Sequence, residues 1–217
     1  HYQVVKNVNI FCAKVRKNRL RQIRLMFRRM TLRNHDFTII CNNCIGGCVY
    51  HDFHAEFLSP TINLYIPFPD FITFLKNIKE ALEAPVENIG IDSNGTPRGR
   101  IKILGGGITL VFLHYKDFEE ANDAWERRKS RINWNNLFIV LVERDGCTLN
   151  DLREFNSLPF EHKIAFTYRK YDDIDNSFVI RNCSEQHQLG NIMQWSGKLG
   201  TKFYDQFNWV RFLNQKS

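Results

Sequence analysis

The sequence predicts an α/β fold: a mixed, largely parallel sheet between helical layers, with antiparallel hairpin strands around residues 86–114. Three observations lead there. After Asp36, short apolar runs rich in β-branched residues alternate with stretches of helical period. Strands that alternate with helices are joined by crossovers and lie parallel. Two glycine-bearing turns, Ser93-Asn94-Gly95 and Gly105-Gly106-Gly107, instead separate extended runs close enough to fold back as hairpins.

The first segment is unlike the rest. Residues 1–33 hold ten of the 30 basic residues and none of the 23 acidic ones, so the remainder of the chain is slightly acidic. Within it Leu20, Ile23, Phe27 and Met30 recur at helical spacing, with arginines on the other faces. This predicts a basic amphipathic helical arm over 1–33, ahead of a single α/β domain over 34–217 in which 86–114 forms a small subdomain. Three uses of the arm compete: a surface helix packed on the domain with solvated arginines, a helix lying on an anionic membrane surface, or a nucleic-acid contact. The acidic remainder would repel a phosphate backbone and no recognition motif accompanies the arm, so no nucleic-acid partner is expected.

The body then reads in order. Phe37–Cys41 has the length and β-branched content of a buried strand. A helix is expected from about Gly47 to Phe57 and a strand over Thr61–Ile66. Pro69 opens a helix whose stripe is Phe71, Phe74, Leu75, Ile78 and Leu82. The hairpin runs Arg98–Leu104 and Ile108–His114 follow, then a helix over Phe118–Ile132 that buries Phe118, Ala121, Trp125 and Ile132. Leu137–Val142 is a continuous apolar strand, and Thr148-Leu149-Asn150-Asp151 resembles a capping box that opens a short helix through Phe155. Lys163–Thr167 and Phe178–Arg181 are strand candidates, and a closing helix is expected over Phe203–Asn214.

Composition narrows the function classes. With 43% hydrophobic and 24% charged residues in 217, the chain has the make-up of an ordinary soluble globular protein. No run approaches the roughly 20 apolar residues needed to cross a bilayer. Six cysteines are too few for a disulfide scaffold, and nothing resembles a secretory signal, so reduced thiols and a cytoplasmic chain are expected, peripheral on the inner membrane face if the arm binds lipid.

The chemistry concentrates in Cys41-Asn42-Asn43-Cys44-Ile45-Gly46-Gly47-Cys48, followed by His51-Asp52 and His54. It falls where the first strand ends and a helix begins, the edge at which open α/β sheets bind ligands. Gly46 and Gly47 let a backbone present its N–H groups to an anion, and Cys44 in a first helical turn is the candidate nucleophile. The spacing Cys-x2-Cys-x3-Cys-x2-His-x2-His offers ligands for zinc, but one helix cannot wrap four of them around an ion, so no metal ligands are assigned and no cofactor is indicated. A structural reading, with the cysteines as small core residues, stands beside the catalytic one. His51 is two turns from Cys44, about 10 Å away along a regular helix. His114 is the better base if its strand neighbours the first in parallel. Tyr115, Glu143 and Asp145 fall at strand ends where they could orient a base or hold a substrate hydroxyl. Arg127, Arg128 and Arg131 could clamp phosphate or be the solvated face of their helix.

Several of these stretches resemble a bacterial family of unknown function, number 1919, found with exopolysaccharide and capsule genes. The residues that carry the resemblance are Asn42-Asn43-Cys44-x-Gly46-Gly47, Tyr50-His51-Asp52, Ser59-Pro60-Thr61, Phe112-Leu113-His114-Tyr115, Trp125-Glu126-Arg127-Arg128-Lys129, Arg131-Ile132-Asn133-Trp134 and Asp145-Gly146-Cys147-Thr148. It covers about residues 36–215 and implies a role in cell-surface polysaccharide assembly. Asn43-Cys44 and His114 are also similar to families described as papain-like cysteine peptidases.

Three functions follow as expectations. The first is a transferase acting on an activated or lipid-linked sugar, with Gly46-Gly47 holding phosphate, Asn42 and Asn43 bonding sugar hydroxyls, His51, Asp52 and Tyr115 lining the substrate site, and His114 or Asp145 as base. The sequence has no Asp-x-Asp pair of the metal-dependent glycosyltransferase kind, only an irregular acidic stretch at Asp172-Asp173-Ile174-Asp175. The second is a cysteine-dependent hydrolase or acyltransferase with a Cys44/His114 dyad. The third is a non-enzymatic glycan-binding or scaffold protein held in place by the basic arm.

Overall fold

The computed structural model describes residues 2–197 and 199–215, with side chains from residue 15 onward. Its centre is a four-stranded parallel sheet in the order β1 (Thr38–Cys41), β5 (Leu137–Val142), β6 (His162–Thr167) and β7 (Ser177–Val179). Such strands are covered on both faces and so read as unbroken apolar runs, as Leu137–Val142 does. Ile40, Ile139, Leu141 and Ala165 face one layer, made of α3 (Asp70–Lys76), α4 (Ile78–Glu83), α5 (Phe118–Lys129) and α6 (Leu149–Ser157). Ile39, Cys41, Phe138, Val140, Val142 and Phe166 face the other, made of α2 (Ile45–Phe53), a 3-10 turn at Phe203–Gln206 and α7 (Trp209–Leu213). The α/β architecture is the one expected.

The hairpin strands form a sheet of their own: β2 (Val86–Ile91), β3 (Pro97–Ile103) and β4 (Gly106–Val111), antiparallel in that order. Ile101, Ile108, Leu110 and Phe112 pack from it into the same core as Ile40 and Ile139. A short hairpin, β8 (Ser184–Glu185) with β9 (Gln188–Leu189), packs Leu189 into the same core as Val142 and Phe166.

Several expectations on single elements change, each for a local reason. Thr61–Ile66 is a connector, with turns up to Asn63 and one bridge, Tyr65 to Val111, at 2.8 and 2.9 Å. Ser59 and Thr61 hydroxyls take up backbone N–H groups there, and the Ile66 N–H donates to the Asn42 carbonyl at 2.9 Å. The helix expected from Pro69 breaks at Asn77, which leaves helical geometry (φ −120) and turns its amide back to the Thr73 carbonyl. The closing helix is likewise two pieces, because Asn208 caps α7 by accepting the Arg211 N–H. α2 starts two residues early and stops at Phe53, where His54 takes a left-handed conformation (φ 52). The Thr148/Asp151 capping box forms as read.

The arm is the helix α1 (Tyr2–Thr31). It does pack on the domain, but through a face the periodicity did not single out. Arg21, Leu25 and Leu32 are buried, while Leu20, Ile23, Phe27 and Met30 point outward. The side chains of Lys6 and Lys14 lie outside the described residues.

Candidate functional site

A cavity of about 300 Å³ opens where β1 hands over to α2. Cys44, Gly47, Cys48, His51 and Asp52 line it from α2 and its N-cap. Phe57, Asn63 and His114 close one side, and Met193, Lys202 and Tyr204 the other. Cys44 and His114 therefore line one cavity, though not by the route expected: β4 is no parallel neighbour of β1 but belongs to the antiparallel sheet. The 61–66 connector brings them together. It bonds the end of β1 through Ile66 and the end of β4 through Tyr65, so the residues following both strands reach one edge.

The cysteines of this edge are thiols held inward. Burial pushes the Cys44 thiol up to about 11, with Cys48 adding to the shift, and the thiol donates to the Leu64 carbonyl at 3.9 Å. Burial pushes Cys41 up to about 12. Cys48 is raised by burial too, against the opposing charge of Lys202, and lies 3.5 Å from the Met193 sulfur. The positive end of α2 is thus outweighed by desolvation. Among the described residues no group of three or more His, Cys, Asp or Glu is placed to hold a metal.

Asn42 is spent on the sheet. Its side-chain amide accepts the Val142 N–H at 2.9 Å and donates to the Val142 carbonyl at 3.1 Å, continuing the β1–β5 ladder one residue past its end. Asn43 accepts the Ile45 N–H at 3.0 Å and so ties the first turn of α2. Gly46 is buried against β1, where a Cβ would come into ordinary contact with Ile39 Cγ2 at 3.4 Å, and it does not line the cavity. Gly47 borders the cavity, facing Ile62 and the Asn63 side chain.

Asp52 anchors the cavity wall. Arg21 donates to its carboxylate, Tyr204 Oη donates to it at 2.7 Å, and Arg29 Nε donates to its main-chain carbonyl at 2.6 Å. The same Arg21 reaches Asp205 at 2.5 Å, which Arg28 also engages at 2.6 Å. Burial pushes the Tyr204 hydroxyl far above its ordinary range, and the Asp52 carboxylate adds to that. Behind the other wall Tyr115 donates to the Ile62 carbonyl at 3.0 Å and accepts from Arg128 at 2.6 Å, while the Arg128 guanidinium lies 5.3 Å from the centre of the Phe57 ring.

The remaining candidates lie elsewhere. Arg127 is exposed and Arg131 pairs with Glu56 at 2.9 Å. Asp145 does not line the cavity; it pairs with Arg144 at 2.8 Å in a left-handed turn (φ 55). Glu143 is buried at the end of β5, bonded by Tyr171 Oη and, at 3.0 Å, by the Tyr168 N–H. In the acidic stretch Asp173 pairs with Arg153 at 2.6 Å and Asp172 with Lys170 at 3.3 Å.

Lys202 and Met193 were missed from sequence because they come from an irregular segment with no period or motif, and Tyr204, though inside the expected closing helix, carried no sign that it faces the cavity. The one local signal is Gly200, at φ +67, which lets that segment lie against the α1 backbone. The cavity, which runs along α2 from Cys44 to Asp52, can receive an anion: Lys202 supplies positive charge and His51 and His114 ring N–H donors, while the Asp52 carboxylate in its wall is held by Arg21. Cys44, Phe57 and Met193 give it apolar surface.

Residues 15–214 match the family described as Domain of unknown function (DUF1919). An uncharacterized protein of Haemophilus influenzae is 37% identical over 191 residues, which cover 88% of this chain and 89% of that protein.

Proposed function

Proceeding from a chain that belongs to the family described as Domain of unknown function (DUF1919), we propose that it is a transferase of cell-surface polysaccharide assembly, acting on an activated or lipid-linked sugar at the α2 cavity. The single observation that carries this reading is that Lys202, His51 and His114 line one cavity along α2, a set of donors that suits a sugar phosphate. In the reaction the bond between the sugar's anomeric carbon and its phosphate oxygen breaks, and the phosphate leaves with the electron pair. An acceptor hydroxyl forms the new bond and gives its proton to His114. Lys202 and the first turn of α2 stabilise the charge that builds on the leaving phosphate.

Titration calorimetry with nucleoside diphosphate sugars and with short-chain polyprenyl phosphate sugars tests this. Wild-type protein is expected to bind at least one, and Lys202→Ala or His114→Ala to weaken that binding about tenfold or more, on the order of one charge-assisted hydrogen bond. No binding of either class, or binding indifferent to both substitutions, contradicts it.

A second reading is kept because Cys44 and His114 line the same cavity: a cysteine-dependent hydrolase or acyltransferase. It would need substrate binding to lower the thiol from about 11. Loss of function in a cell carrying only Cys44→Ala, with the fold intact, would favour it; full function would remove it.

A further inference from the structure

We infer that α1 seats this protein on an anionic lipid bilayer through its outward stripe. The helix buries Leu25 and Leu32 as a surface helix does, but it carries a second apolar row on its outer face, where such a helix ordinarily presents charge. Here Arg21 and Arg28 point inward, where Asp52 and Asp205 hold them. Ile23, Phe27 and Met30 face out with 52%, 58% and 74% of their surface exposed, and Leu20 and Met26 flank them. Single exposed apolar residues are ordinary, but a contiguous stripe rimmed by charge marks an interaction surface.

A second element extends that surface. Leu199, 67% exposed, lies beside Arg24, whose guanidinium donates to its carbonyl at 3.3 Å. The next residue, Gly200, packs directly on α1: a Cβ there would fall 2.3 Å from the Lys17 carbonyl and 2.9 Å from the Arg21 nitrogen. The loop that sets Leu199 outward carries Lys202 into the α2 cavity.

Charge decides the occupant. α1 contains no acidic residue, and Arg16 and Arg19, both exposed, lie one turn before the stripe on the same side, with Lys17 and Arg24 at its border. A second copy docked stripe to stripe would bring two sets of cations together. An anionic surface instead complements them, while the apolar side chains enter the headgroup boundary and the arginines reach the phosphates. No helix of the described residues is long and apolar enough to cross a membrane, so α1 lies along the surface. The inference rests on α1 and Leu199 and holds whatever ligand the cavity takes.

Co-sedimentation of the full chain with vesicles tests it. Wild-type protein is expected to pellet with vesicles containing phosphatidylglycerol, to stay in solution with pure phosphatidylcholine, and to be released by salt. Ile23→Glu/Phe27→Glu alters only exposed side chains, so it should keep the wild-type melting temperature and the wild-type calorimetric behaviour toward soluble sugar phosphates, yet bind anionic vesicles roughly tenfold or more weakly. Arg16→Glu/Arg19→Glu should weaken binding by a similar factor. Three results would overturn the inference: wild-type protein that ignores anionic vesicles, an Ile23→Glu/Phe27→Glu variant that binds as wild type does, or a wild-type dimer which that variant makes monomeric, since that would assign the stripe to a second copy.

Discussion

Arg21 donates to the carboxylate of Asp52, joining α1 to a residue that lines the cavity at the start of α2. Asp205 completes the group, and the side chains of Arg21 and Asp205 are 6% and 2% exposed. Breaking a buried pair by removing one partner leaves a charge without its counterion, at a cost of about 3–5 kcal/mol. Arg21→Met is therefore expected to lower unfolding stability by about that amount, measured by urea denaturation. A loss below about 1 kcal/mol, the usual worth of a surface pair, would show that solvent reaches the network.

Cys44 carries the second prediction. Its thiol is raised to about 11 by burial, so the thiolate is scarce at neutral pH and grows only as pH climbs toward that value. Iodoacetamide should label Cys44 slowly at pH 8, with the rate still rising above pH 10, as read by peptide mass mapping. A labelling midpoint below the ordinary thiol value of about 8.5 would mark an activated nucleophile instead.

Glu143 makes stability depend on pH in a definite direction. Burial raises its carboxyl above the ordinary value, against the partial opposition of the Tyr171 hydroxyl and the Tyr168 N–H. The folded protein therefore holds this proton to higher pH than the unfolded chain does. The contribution is fully present below the unfolded value and is lost as pH rises through the folded one. Glu143→Gln should flatten that part of the profile of melting temperature against pH. An unchanged profile would mean that the group titrates alike in both states.

Two glycines separate backbone strain from crowding. Gly105 and Gly200 both have positive φ, but a Cβ on Gly105 meets nothing within 4 Å, whereas one on Gly200 meets the α1 backbone. Gly105→Ala should cost about 1 kcal/mol, the price of the left-handed conformation alone. Gly200→Ala should cost clearly more, because the Lys17 carbonyl is at 2.3 Å and backbone cannot step aside. Equal losses in thermal denaturation would show that the 199–202 loop does not depend on its seat against α1.

What could be read from the sequence was local. The strand Leu137–Val142 is a single unbroken apolar run, and the helix at Leu149–Ser157 announces itself in the reciprocal bonds of Thr148 and Asp151. The two hairpins follow from their glycine turns. What escaped was long-range. Periodicity located the stripe of α1 but could not say which side meets the body, because the partners that turn Arg21 inward lie 31 and 184 residues away. Cys44 and His114 line one cavity, but on another basis than the one expected: the Tyr65–Val111 bridge, not a shared parallel sheet, carries both to that edge. Asn42 looked like a ligand-binding amide at a strand end, yet the backbone of Val142 occupies both its donor and its acceptor.

The most direct test of the sugar-phosphate site is histidine-observed NMR during titration with a nucleoside diphosphate sugar or a short-chain polyprenyl phosphate sugar. His51 and His114 line the α2 cavity, whereas His162 lines a separate cavity of about 520 Å³ at the start of β6, stacked on Phe138. The account predicts that His51 and His114 resonances move and saturate together while His162 stays in place, and that Lys202→Ala shifts the titration to higher ligand concentration. Movement of His162 with His51 and His114 unmoved would put the ligand in the other cavity and contradict the account.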